Sequence, residues 1–187
     1  MALVYLAPLI VTQFVMLEQK ISGHTNRSQA NGAKPLEILI AHFLFNTLMA
    51  VFQVSLMMGA SLIYFEASNL GSIMLLLAIV FMEGLAGVSL AVFLGSIINN
   101  KLTAMVMIYG LTVSLWFICG VFWPVENNNF LWLQPVVRLF PLTLPADSAR
   151  FIMNRGWDLF HMDVLLGFVS TTVYTIVFAI LSFVLFK

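Results

Sequence analysis

In 187 residues the chain holds 61% hydrophobic side chains and only 9% Asp, Glu, Lys or Arg, against roughly 25% charged residues in a soluble domain. With a mean hydropathy of +1.03, a soluble fold of this length has too little interior to hide its apolar surface. A water-soluble enzyme, a nucleic-acid binder and a disordered chain are thereby excluded. Net charge is zero and Cys119 is the sole cysteine, so the chain has no bulk field for a polyanion, no intrachain disulfide and no cysteine-based metal site.

The elements follow from the charge-free runs, residues 1–17, 38–65, 67–82, 84–100, 102–125 and 164–186. A helix needs about 20 apolar residues to cross the hydrocarbon layer. Only Glu83 separates the third and fourth runs, with no turn signal around it, so they read as one helix. Five spans result, about 1–17, 36–64, 71–98, 102–122 and 162–186. Backbone groups in lipid must be satisfied within the segment, which makes these spans helices; barrel strands alternate and are shorter. The first span is short and lacks the basic start and small-residue cleavage site of a signal peptide. It reads as the tail of a longer helix, and the chain as a fragment.

The 18–35 loop carries Lys20, Arg27 and Lys34, and Lys101 and Lys187 fall on the same side when five helices alternate. The positive-inside rule places that side in the cytosol, with the C-terminus. Asn26-Arg27-Ser28, the one N-glycosylation sequon, is then expected to stay unmodified.

Along the second span His42, Asn46 and Gln53 lie within about 40° of one another at helical spacing, a polar stripe. It serves either as glue between helices or as the lining of a cavity. A metal site is not expected, because His24 and His161 fall at opposite ends of this topology. In the third span Glu83, Gly87, Ala91 and Gly95 repeat every four residues. Small residues at that spacing let helices approach closely. Glu83 is the one charged residue deep in a span, and needs water, a partner or a neutral hydrogen-bonding role. In the fourth span Tyr109, Val113 and Trp116 share a face, suited to packing or to an apolar ligand.

Residues 123–161 are too short and too interrupted by Pro135 to cross, and hold Trp123, Trp132 and Trp157. They read as a re-entrant or interfacial outer cap, with a short helix over 146–155 that follows Pro145 and has Asp147 in its first turn. Chemistry-bearing motifs are missing: no G-x-x-x-x-G-K-[ST] phosphate loop, no H-E-x-x-H and no G-x-S-x-G occurs. No catalytic residue is assigned.

Several stretches together resemble the type-2 permeases of ABC transporters, most closely the ABCG/ABCH-like exporters of animals. One is Glu18, Ile21-Ser22-Gly23 and Arg27-Ser28, followed by Gly32-Ala33-Lys34-Pro35-Leu36-Glu37-Ile38-Leu39. Another is Gly120-Val121-Phe122-Trp123-Pro124-Val125-Glu126, followed by Pro141-Leu142-Thr143, Arg150 and Arg155-Gly156-Trp157. The resemblance implies an all-α polytopic membrane bundle containing the second to sixth of six helices. It also implies a nucleotide-binding domain outside this sequence, which would carry ATP and Mg, and no cofactor on the chain itself. Residues 18–35 would be the coupling loop, with Glu18, His24, Arg27 and Gly32 facing the ATPase; HTNRSQANG is more polar there than the family pattern. Tyr109, Val113 and Trp116 would line the substrate cavity, and Val121 and Phe122 would form its exit plug. The implied partners are the bilayer, a second half-transporter and a lipophilic substrate, in the plasma membrane. A non-transporting membrane scaffold and an intramembrane enzyme using Glu83 and His42 are the competing readings.

Overall fold

The computed structural model describes residues 2–60, 70–118, 137–138 and 140–185, except for the side chains at 116 and 118. Among these residues the regular structure is entirely helical: α1 (Ala2–Ile21), α2 (His24–Ala30), α3 (Pro35–Gly59), α4 (Ile73–Ile97), α5 (Lys101–Ile118), α6 (Thr143–Arg155) and α7 (Met162–Leu185). Four of them, α1, α3, α4 and α7, are long and apolar enough to cross a membrane. At 25 residues each, α3 and α4 are roughly 37 Å long and exceed a hydrocarbon layer of roughly 30 Å. The outer faces of α3 and α7 are apolar: Leu44, Leu48, Phe52 and Leu56 on α3, and Val169, Val173, Ile176 and Ile180 on α7, are all exposed. Water would not tolerate such stripes, whereas acyl chains are their natural solvent.

The core forms around α4, which packs against α1, α3, α6 and α7. The small-residue ridge explains why. A Cβ on Gly87 would run into the Tyr5 carbonyl of α1, and one on Gly95 would lie 3.1 Å from Met16 Sδ. Ala91, between them, is fully buried. So the Gly87-Ala91-Gly95 edge brings the backbones of α1 and α4 together, which is how helices gain contact energy in lipid.

The contacts also set directions. Tyr5 meets Gly87 and Met16 meets Gly95, so α1 and α4 run parallel; Val54 meets Gly84 while Leu39 clusters with Val88 and Val92, so α3 is antiparallel to them. At the other end, Ile152 of α6 clusters with Leu76 and Ile79 of α4 and Val164 of α7. The short helices α2 and α6 therefore sit at opposite ends of the bundle.

Several boundaries differ from the sequence reading. α1 continues through Glu18 and Lys20 to Ile21, because Lys20 finds acceptors on α4 instead of unwinding into a loop. α6 begins at Thr143, with Pro145 inside its first turn, where a missing N–H costs nothing. Asp147 therefore falls beyond that turn, and pairs with Arg150 at 3.2 Å. α3 opens on Pro35, and Glu37 Oε2 accepts the Lys34 backbone N–H at 3.0 Å.

Candidate functional site

At the end of the bundle marked by α2, four elements meet in a corner: the last turn of α1, α2, the start of α3, and the α4–α5 turn. Gly23 (φ 74°) and Gly32 (φ 93°) bracket α2 in left-handed backbone that side chains disfavour, so both turns depend on glycine. No residue of α2 is buried. Glu18, His24, Arg27 and Gly32 are all exposed on this corner. α2 is thus a polar surface helix held between two spans, with Thr25 and Gln29 partly covered and its other residues exposed.

Lys20 ties the corner together. Its ammonium donates to the Gly95 carbonyl at 2.9 Å, the Ser96 carbonyl at 3.1 Å and Asn99 Oδ1 at 2.9 Å. The last carbonyls of α4 have no intrahelical donors and carry the negative end of its dipole, so a half-buried cation is well placed there. One residue beyond Asn100, Lys101 Nζ lies 3.7 Å from Glu18 Oε2 with both side chains largely exposed, an ion pair that contributes little. The helix preceding α2 is in this way bonded to the turn that starts α5.

On α5, Ala104, Ile108, Thr112 and Leu115 are buried, whereas Tyr109 (64% exposed) and Val113 (49% exposed) point away from the bundle. The structure brings Tyr109 and Val113 onto one outward face; the Trp116 side chain, Val121 and Phe122 lie outside what is described. An apolar groove of about 250 Å³ lies elsewhere, between α3, α4 and α7, lined by Leu39, Phe43, Val92 and Phe183 among others.

Between the two ends, the polar stripe of α3 turns inward. His42 and Asn46 are buried and Gln53 half-buried, on the face that packs against the other helices. Asn46 Nδ2 donates to the His42 carbonyl of its own helix at 2.7 Å, while Asn46 Oδ1 and Gln53 Oε1 have no partner among the described residues. Glu83 is fully buried and neither carboxyl oxygen is hydrogen-bonded among the described residues. Thr171 of α7 sits beside it, its hydroxyl donated to the Gly167 carbonyl at 2.7 Å. The buried hydroxyls of Ser89, Ser148, Thr171 and Ser182 satisfy themselves on the preceding turn. Among the described residues the groups that stay open are the Gln13 amide, the amide oxygens of Asn46 and Gln53, the Glu83 carboxyl and the hydroxyls of Thr47 and Thr112. Among the described residues no three His, Cys, Asp or Glu side chains stand close enough to hold a metal.

Sequence reasoning missed Lys20, because its acceptors lie about 75 positions away. It also missed Gln13, which is buried on α1 with both amide atoms unpaired among the described residues. A polar residue in an apolar first span was the available signal for Gln13; nothing local announced Lys20.

A helical bundle with exposed apolar flanks and a polar surface helix between two spans is the architecture of an integral membrane protein. The sequence matches the ABC-2 family transporter protein family over residues 1–186, and the chain belongs to that family. Over 177 residues it is 22% identical to ABC transporter G family member 20 of Dictyostelium discoideum, a match covering 92% of this chain and 24% of that relative. The chain thus spans about a quarter of that protein's length. No solved structure matches significantly.

Proposed function

We propose that the chain is the permease portion of an ATP-driven exporter that moves lipophilic or amphipathic substrates by alternating access. The family membership supplies the class, and the single observation that carries the finer reading is α2. A surface helix with no buried residue, flanked by two glycines and joined through Lys20 and Glu18 of α1 to the end of α4 and the start of α5, suits a lever for a motor. In this reading the α2 end faces the cytosol, as does the C-terminus, and Glu18, His24, Arg27 and Gly32 meet a nucleotide-binding domain that binds ATP and Mg. Movement of α2 shifts the α1–α4–α5 corner and changes the exposure of the Tyr109, Val113 and Trp116 face, with Val121 and Phe122 closing the exit. The machine needs two states differing in access, and a second half-transporter completes the pathway. The apolar face accepts cargo by burial rather than by ion pairing.

The test is a cysteine at Arg27 in a Cys119→Ser background, in the full-length transporter or with its separate ATPase subunit. A bifunctional thiol reagent is expected to join position 27 to the ATPase domain, with a yield that changes on adding ATP and Mg. Labelling of position 27 by an impermeant reagent from outside intact cells overturns the reading.

A further inference from the structure

Where α6 ends and α7 begins, four side chains form a stack. The Arg155 guanidinium carbon lies 4.8 Å from the centre of the Trp157 ring and 5.1 Å from that of Phe151. The two aromatic rings are 4.8 Å apart, and the His161 imidazole stacks on Trp157 at 3.8 Å and 3°. Gly156, at φ 67° with its N–H on the Ile152 carbonyl, turns the chain so that Trp157 returns over Phe151. Neither Arg155 nor His161 has a carboxylate partner among the described residues, where the ion pairs are Lys101–Glu18 and Arg150–Asp147. A guanidinium stacked on aromatic rings keeps its edge N–H donors free, the fork that grips phosphate.

The surroundings say what brings the phosphate. α6 is seated on the first turns of α4 and α7, so the stack lies at the membrane boundary of two spans. From the same turn Phe160 (94% exposed) and Met162 (69% exposed) project with Leu159, an apolar finger beside the cation. Among the anions that arrive with hydrocarbon attached, phospholipids carry the phosphate this fork matches. Asp158 and Asp163 flank the site, which disfavours a headgroup of net negative charge and favours a zwitterionic one.

We propose that Phe151, Arg155, Trp157 and His161, with the Leu159–Met162 finger, form a site for one zwitterionic phospholipid. The phosphodiester rests on the Arg155 edge and the imidazole N–H, and an acyl chain lies along Phe160 and Met162. The site is independent of α2 and α5, so it stands or falls apart from the exporter reading.

Native mass spectrometry of the purified chain with added phosphatidylcholine tests it. Arg155→Gln is expected to lower retained lipid roughly tenfold, the worth of a charge-assisted hydrogen bond to phosphate. Phe160→Ser is expected to lower it while leaving the stack in place. A diacyl glycolipid with the same chains but no phosphate is expected to be retained equally by wild type and Arg155→Gln, and inorganic phosphate is expected not to displace the lipid. Equal phosphatidylcholine retention by both proteins overturns the proposal, as does displacement by inorganic phosphate. Should Arg155→Gln fail to fold, wild-type protein labelled with 15N-arginine keeps the question open to test. A correlation between lipid 31P and a guanidinium nitrogen is expected, and none overturns the site.

Discussion

Gly87 and Gly110 make opposite demands on the same change. A methyl group on Gly87 has nowhere to go, because the Tyr5 carbonyl occupies the space, and a backbone atom cannot swing aside as a side-chain tip can. Gly87→Ala is expected to lower stability by about 1–3 kcal/mol, the usual cost of forcing extra volume into a packed interface. Gly110, on α5, has nothing within 4 Å of where a Cβ would stand. Gly110→Ala is expected to leave stability unchanged or raise it by up to about 1 kcal/mol, from helix propensity. Denaturation in mild detergent, followed by circular dichroism, reads both; equal effects would mean that the α1–α4 approach is not set at Gly87. Glu83 poses the other question at this scale. Its carboxyl is enclosed without a hydrogen-bond partner among the described residues, so an isosteric amide removes the risk of a buried charge while keeping the shape. Glu83→Gln is expected to match or exceed wild-type stability in the same measurement, whereas Glu83→Ala loses packing and falls below it. Unaltered function in Glu83→Gln and His42→Ala would also dispose of an intramembrane enzyme.

Among elements, the corner of α1, α4 and α5 depends on one ammonium rather than on burial. Lys20→Met removes three donations at once and uncovers the end carbonyls of α4. Hydrogen exchange is expected to quicken over residues 18–24 and 98–102, with a stability loss of about 1.5–3 kcal/mol typical of hydrogen bonds to a charged group. Lys101→Ala, which breaks only the exposed pair with Glu18, is expected to leave exchange nearly unchanged. If the two variants behave alike, Lys20 does not hold the corner. This contrast also shows how far the sequence could be read. The helices of the bundle were legible because lipid punishes charge, so gaps between charged residues mark them without any knowledge of neighbours. The ridge through Gly87, Ala91 and Gly95 was legible for the same reason, since spacing alone aligns small residues on one face. The destination of Lys20 was not, because a lysine near a span end has the same local sequence whether it meets water, lipid phosphate or another helix. The polar stripe of α3 was legible as an angle, yet its surroundings depend on which helices turn toward it. Around Pro145, local signals favoured a later helix start, and packing of Thr143 and Ser148 against their neighbours extended it.

The whole molecule leaves one of its faces unexplained unless it is incomplete alone. On α5, Tyr109 and Val113 point outward opposite the packed side of Ala104, Ile108 and Leu115, and α5 has α1 as its chief helical neighbour. Lipid can cover such a face, but a tyrosine hydroxyl against acyl chains has no hydrogen-bond partner, and one on a neighbouring helix is worth about 1 kcal/mol. In the exporter reading the partner is the same face of a second half-transporter, and the gap between them is the substrate path. A symmetric pairing puts like residues near a two-fold axis, so one position can cross-link to itself. Single cysteines at Tyr109, Val113 and Phe117, introduced into a Cys119→Ser background, are therefore expected to form disulfide-linked dimers in native membranes under mild oxidation. Single cysteines at Val169 and Val173, on the lipid-facing side of α7, are expected to stay monomeric and serve as the control. A lipophilic substrate present during oxidation is expected to lower the yield at Val113 by standing between the two chains. Equal cross-linking on α5 and α7 would reduce the pairing to random collision, and a substrate-independent dimer would leave an interface without a pathway.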